Sequence, residues 1–450
     1  MKQTILLMLS VVVGVLLSVS CSKEEPYAIY YTTINDTEIS IENAGLNDII
    51  VEHTYKKGKG VIVLSPDATS IVEKAFYDCD FITSVTIPDG VISIDNDAFY
   101  GCSSLTSVTI PNSVTTIGEY AFEGCSSLTS VTIPDSVTVI GDSAFEECRN
   151  LTNVTIPNSV TVIGNDAFGD CSNLTNIILP NSVTTIGDRT FASCSRLTSI
   201  TIPDSLTAIG EAAFAYCENL NSVIIGNGVT KIVFRMFEGC RAISSVTIPN
   251  SVTTIEDYAF SGCTGLTSVT IPDNVTSIGD NTFNGCSSLT EFRGKFASND
   301  GRCLIVDGTL HSFAPAGLIE YEIPEGVTTI RGMSFNKCSN LISVTIPNSV
   351  TQIGHWAFSD CNNLTSVTIG SGIAAIEYGA FQNCSSLTTI YCKAITPPTA
   401  IYNDLGKAWS AFNENAPGRK IYVPMESVEA YKSAEYWCYY AEDIVGYNFE

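Results

Sequence analysis

The sequence predicts an α/β repeat solenoid: 23-residue coils, a parallel concave β-sheet along one side, and a cap at each end. Three observations carry this reading. Phenylalanine recurs at positions 76, 99, 122, 145, 168, 191, 214, 237, 260 and 283, always 23 apart, and resumes with the same step at 335, 358 and 381. A cysteine follows three residues after each of these thirteen, from Cys79 to Cys384. Between them lies a β-branched run closed by proline, as in Leu105-Thr106-Ser107-Val108-Thr109-Ile110-Pro111. Self-similarity at a fixed period marks stacked supersecondary units, none of which can bury its apolar face alone.

Composition narrows the functions such an array could serve. Of 450 residues, 45% are hydrophobic and 15% charged, so there is enough apolar material for a packed core. Lys and Arg number 22 against 47 Asp and Glu, a net charge of −25. That balance argues against nucleic acid, which needs a cationic face. Three histidines, His53, His311 and His355, stand in unrelated contexts and suggest neither a metal site nor a general base.

Residues 1–20 read as a targeting segment. Lys2 gives a positive start, Ile5 to Leu17 an apolar stretch too short for a comfortable membrane span, and Ser18-Val19-Ser20 precedes Cys21. The arrangement resembles a bacterial lipoprotein signal, which implies that Cys21 is lipid-modified. Ser22-Lys23-Glu24-Glu25 resembles the short acidic signal that sends Bacteroidetes lipoproteins to the outer face of the outer membrane. Secretion or a periplasmic-facing anchor is the alternative. Residues 21–65 follow as a tether and N-terminal β cap, with Tyr27 to Val63 β-rich and a turn at Asn35-Asp36.

Repeats occupy 66–294. Thr106 to Ile110 alternates and is β-branched, so it reads as a strand beside its equivalents in neighbouring coils. Pro111 ends the strand because it has no N–H for a continuing ladder. Val114 and Ile117 form a second inward segment and Gly118 allows a tight turn. Ala121, Phe122 and Cys125 follow at helical spacing, so a single helical turn is expected there. Leu105, Val108 and Ile110 fill the L-x-x-L-x-L template of leucine-rich repeats.

Residues 295–317 break the phase, since Phe283 to Phe335 spans two coils plus six residues. Asp307-Gly308 between two strand-like runs, Arg302 to Phe313, predicts a β-hairpin projecting from the coil. Repeats resume over 318–392. In the C-terminal cap, 393–450, Thr396 to Gly418 reads as loop, Lys420 to Pro424 as a last strand, and Ser427 to Tyr440 as a helix over the open end.

The unit F-x-x-C-x-x-L-T-S-V-T-I-P-x-S-V-T-x-I-G-x-x-A-F resembles the BspA-like leucine-rich repeats of bacterial surface proteins, over about residues 66 to 392. The resemblance implies a right-handed superhelix on the cell surface and, for some members, adhesion to host proteins. The ligand does not carry over, because the motif residues are scaffold.

Candidate functional residues lie on the strand face. Thr106, Ser107 and Thr109 are expected to point to solvent, with equivalents at Thr129, Thr132, Thr201, Thr247 and Thr270. Such rows resemble those of ice-binding solenoids, though Thr is also simply a good exposed strand residue. Departures from the trio are the more informative positions: Ile178 and Ile224 replace Thr, and Glu291, Arg293 and Tyr391 stand near the breaks. Glu119, Asp142 and Asp280 read as a solvated edge. The triplets at Asp135, Asp142 and Asp204 resemble the Bacteroidetes O-glycosylation sequon.

The thirteen periodic cysteines would stack about 4.8 Å apart, and an odd number with identical neighbours points to buried free thiols. Cys303, Asp307 and His311 share one hairpin but lack an oxyanion-type turn, so no catalytic residue is assigned. Neither cofactor nor metal is implied. Two functions follow: a non-catalytic binding protein engaging a host extracellular protein or glycan, joined to the membrane only by its lipid, or an inert spacer displaying its caps or hairpin.

Overall fold

The computed structural model describes residues 27–39, 50–401 and 411–449. Cys21 and the targeting segment lie outside them. The chain is a parallel β-solenoid whose coils each contribute three rows. In the coil from Leu105 to Cys125, strand Ser107–Thr109 forms the first row and Thr116–Ile117 the second. Register holds at 23 residues: Ser84 pairs Ser107, Val85 pairs Val108, and Ser93 pairs Thr116. Alternation buries Val108 and Ile110 while Thr106, Ser107 and Thr109 stay exposed.

The third row differs from the helical turn expected at Phe122. It is a string of tight turns in which Glu123, Cys125 and Leu128 donate N–H groups to carbonyls three residues back. Tyr120 and Gly124 adopt φ of 57° and 69°. A left-handed non-glycine is costly, and here the stack holds it: Tyr120, Phe122 and Gly124 donate to the carbonyls of Asp142, Ala144 and Glu146 in the next coil. Helical spacing in the sequence recorded only that Phe and Cys share a side.

Phe side chains stack through the interior from Phe76 to Phe283, with centroids 4.9 to 5.8 Å apart. Every described cysteine is free, and those of the repeats are buried except for Cys79, which is half-buried. The thiols are more than filler. Cys102, Cys125 and Cys148 each donate to the carbonyl of the Phe 26 residues earlier, at 3.1 to 3.3 Å.

The first row is a series of shorter sheets, interrupted between Asn153–Thr155 and Ser199–Ile202, where only an Asn153–Asn176 bridge remains. The second row is seven-stranded from Ser70–Ile71 to Ala208–Ile209, breaks, and resumes as Lys231–Ile232, Thr254–Ile255 and Ser277–Ile278. The break coincides with a change at the repeat glycine. At Gly210 an added Cβ would lie 2.2 Å from backbone of the preceding coil, so this position must lack a side chain. Val233 and Glu256 occupy it in the next two coils, and a groove of about 460 Å³ opens there, lined by Val233.

The hairpin does not project. Strands Cys303–Val306 and Thr309–Phe313 pair with each other, and Thr309 and Leu310 pair in parallel with Thr329 and Ile330. Leu304, Leu310 and Phe313 are buried, so leaving the hairpin in solvent would expose its apolar face. Phe313 stacks 4.4 Å from Phe335 and starts a second Phe row through Phe358 and Phe381 to Phe412.

At the N-terminal end, Ala28–Thr33, Ile50–Lys56 and Lys59–Leu64 form an antiparallel group, and Ala28–Thr33 pairs antiparallel with Ile82–Thr86. At the other end, Thr399–Ile401 pairs Ala375–Glu377 within the expected loop, and Lys420–Pro424 pairs Thr389–Cys392. The expected helix is shorter: Val428–Ser433, broken at the extended Ala434, followed by a 3-10 turn at Trp437–Tyr440. A further strand, Ile444–Tyr447, pairs Lys420–Pro424. Trp437 and Tyr440 are buried against Phe412, an aromatic seal that ends the helix early.

Candidate binding surface

The outward positions of the first-row strands, mostly three or four residues long against two in the second row, form a regular surface. The structure places Thr106, Ser107, Thr109, Thr129, Thr132, Thr201, Thr247 and Thr270 there, all exposed. Their hydroxyls divide into two kinds. The Thr directly after each Leu donates to the carbonyl 23 residues earlier: Thr106 to Thr83, Thr129 to Thr106, Thr267 to Ser244. These serve the stack. Thr109, Thr132, Thr201, Thr247 and Thr270 have no hydroxyl partner among the described residues and face outward.

Ile178 and Ile224 are 71% and 59% exposed, large values for isoleucine. Ile224 lies in a strand beside Thr201. Ile178 falls at the interruption of the first row, outside any strand. The two are therefore carried differently and do not share one sheet segment.

The face changes character at its C-terminal end. Tyr391 continues the row of Thr345 and Thr368, and Tyr422 and Val445 follow in register. The rings of Tyr391 and Tyr422 stack at 5.0 Å, and Tyr447 stands edge-on to both at 5.4 and 5.6 Å. Phe449 lies 5.0 Å from Tyr447. Tyr447 is 43% exposed and the other three are half-buried. Tyr391 alone was visible as a departure. Tyr422 was findable as the equivalent position of the anticipated last strand, whereas Tyr447 sits on a strand that no period announces.

The trio on the hairpin is dispersed. The Cys303 thiol contacts the Tyr321 hydroxyl at 3.1 Å, and burial pushes it up to about 12. His311 turns to the Gly279 carbonyl and lies 3.4 Å from the Arg331 guanidinium; burial first, then that cation, hold it down at about 4. Asp307 is exposed in the turn, at φ 47°. No nucleophile–base contact forms.

Part of the acidic edge is structural. Asp142 Oδ1 accepts the Asn165 N–H, and Asp257 Oδ1 that of Asp280, which also pairs with Arg331. Ser136 and Ser205 of the sequon-like triplets donate to the carbonyls of Val114 and Val183, and Ser143 is buried. Glu291 and Arg293 pair with each other. Among the described residues, no three His, Cys, Asp or Glu are grouped as metal ligands, and no helix is long and apolar enough to cross a membrane.

The sequence profile described as BspA type leucine rich repeat region (6 copies) matches residues 69–198, 184–299 and 310–401. No curated protein matches the chain. Solved structures similar to it include a leucine-rich repeat protein of Bacteroides ovatus, 24% identical over 89% of this chain and 98% of that one, with a TM-score of 0.49. A leucine-rich cell surface protein of Faecalibacterium prausnitzii is 26% identical over 81% and 98%, with a TM-score of 0.43. The pneumococcal vaccine antigen PcpA is 17% identical over 89% and 100%, with a TM-score of 0.46.

Proposed function

Since the chain belongs to the BspA type leucine-rich repeat family, we propose that it is a non-catalytic binding protein. It is held at the outer surface of the outer membrane by a lipid on Cys21, and it engages a host extracellular protein or glycan with the C-terminal end of its strand face. One observation supports that place: Tyr391 and Tyr422 continue the row of Thr345 and Thr368, and Tyr447 packs edge-on against both rings. Tyrosine offers a large, stiff contact area with a polar tip and is enriched among residues that dominate binding energy. Small hydroxyl residues cannot act as such anchors. The use of the Thr106 and Thr129 hydroxyls within the stack favours a complementary role for the middle coils, as a spacer that carries the aromatic end away from the membrane. The test is a binding screen of residues 21–450 against host matrix proteins and glycans. Tyr391→Thr with Tyr447→Ser should then weaken any ligand found by tenfold or more, about 1.4 kcal/mol. Undiminished binding would move the site elsewhere.

A further inference from the structure

A regular backbone ladder runs along the third row and fails at one place. In every other coil of the thirteen the Phe N–H donates forward to the carbonyl 22 residues later, or to Ala411 from Phe381. Flanking amides do the same: Tyr258, Phe260 and Gly262 donate to Asp280, Thr282 and Asn284 at 2.9, 2.9 and 2.7 Å. The next three equivalents, Asn281, Phe283 and Gly285, have no partner among the described residues. The following coil is the one built around the hairpin, which supplies strands to the first two rows but no turn to the third. On the far side, the carbonyls of Gly332, Ser334 and Asn336 occupy the acceptor positions and also lack partners among the described residues.

Between these lips lies a slot of about 220 Å³, with Phe283 and Phe313 among its walls. The interior Phe position of the missing turn is already taken by Phe313, stacked on Phe335, so what the slot lacks is main chain. Its volume is well below the ~300 to 1,000 Å³ of drug-sized sites and suits a few small residues. One rung crosses it directly, from Asn284 Nδ2 to the Met333 carbonyl at 3.3 Å. Asn281 Oδ1, on the lining, is buried without a partner among the described residues. In a chain of net charge −25, no carboxylate lines the slot, and Lys337 does.

We propose that this slot is a docking site for the main chain of a short partner polypeptide segment, which takes the place of the missing turn. Its carbonyls would accept from Asn281, Phe283 and Gly285, and its N–H groups would donate to Gly332, Ser334 and Asn336. Recognition of this kind takes affinity from backbone hydrogen bonds and tolerates varied sequence as long as the side chains are small. Three donors and three acceptors stand here without the partners that their equivalents have in the other coils, Phe283 buried and the other five half-buried. Main-chain groups kept unpaired in part away from water are costly, which gives an incoming backbone its advantage over an apolar ligand.

Amide hydrogen exchange on residues 21–450 tests this. Without peptide, Asn281, Phe283 and Gly285 should exchange at least ~tenfold faster than Tyr258, Phe260 and Gly262, because an unpaired amide needs no opening. Adding acetyl-Ser-Gly-Ala-Ser-amide should slow the first three severalfold and leave the second three unchanged. Ser287→Trp, at the exposed rim, should abolish that slowing while its melting curve stays that of the wild type. Because recognition is by main chain, failure of this peptide to slow the three amides overturns the proposal. So do full protection without peptide, loss of exchange that depends on protein concentration, which would assign the slot to a second copy, or slowing by methyl glucoside in place of the peptide.

Discussion

The Cys171 thiol donates to the main-chain oxygen of Phe145, 26 residues earlier, at 3.2 Å. Both residues are fully buried, and the same oxygen accepts the Cys148 N–H. The row thus links each coil to the previous one through a weak sulfur donor. Burial pushes the thiols of this row up, to about 12 at Cys217 and Cys286. At pH 8 such a group is thiolate only about one part in 10⁴. With a disulfide reagent at pH 8, the exposed Cys438 should react within minutes and the buried row only after denaturant is added. Rapid native labelling of the row would contradict its placement.

Phe168 lies between Phe145 and Phe191, 5.4 and 5.5 Å away, with parallel rings. Phe168→Ala should destabilise the chain by about 3 to 5 kcal/mol, because the neighbours cannot close the cavity without shifting a coil. Exchange should rise first in adjacent coils, since each touches only its neighbours. An unchanged melting curve would remove this Phe from the core.

Glu123 gives a pH signature. Partial burial, then Glu146, Glu147, Asp97 and Asp166, raise its carboxyl to about 7. The folded value lies above the unfolded one of about 4.5, so the folded state holds this proton more tightly. The stabilisation is full below pH 4.5 and is lost as pH rises through 7. Glu123→Gln should raise the melting temperature relative to wild type at pH 8 and leave it nearly unchanged at pH 4.5. Equal shifts at both pH values would show that the side chain is solvated.

His311 has the opposite sign. Its folded value, about 4, lies below the unfolded value of about 6.5. The neutral ring supports the docked hairpin above pH 6.5, and that support is lost as pH falls towards 4. His311→Gln should flatten the stability profile between those limits, measured by denaturant titration at each pH. A parallel profile in the variant would assign the acid sensitivity to other groups.

Ile178→Thr with Ile224→Thr restores the repeat consensus at two exposed positions. Surface changes of this kind shift stability by no more than about 0.5 kcal/mol each. Once a ligand is in hand, weakened binding in this double variant would extend the site to the middle coils, and unchanged binding would leave it at the tyrosine end.

Most of the coil was readable in the chain. Period 23 placed Phe122 and Cys125 inside, alternation placed Thr106 and Thr109 outside, and Pro111 ended the strand, because each depends on neighbours along the chain or one coil away. The sulfur-to-carbonyl bonds were not readable, since a buried cysteine looks the same in sequence whether or not it donates. Nor was the left-handed turn at Tyr120, whose backbone is held by the coil that follows.

By itself the sequence determined the period, the inward rows, the free thiols and the position of the phase break, all set by local pattern repeated many times. Tertiary structure alone decided how the break is bridged, that Phe313 and Phe412 prolong the aromatic stack, and that Tyr391, Tyr422 and Tyr447 converge. Those contacts join residues at separations the period does not contain, and they form because apolar surface at a break or an end must find cover from whatever chain the solenoid brings there.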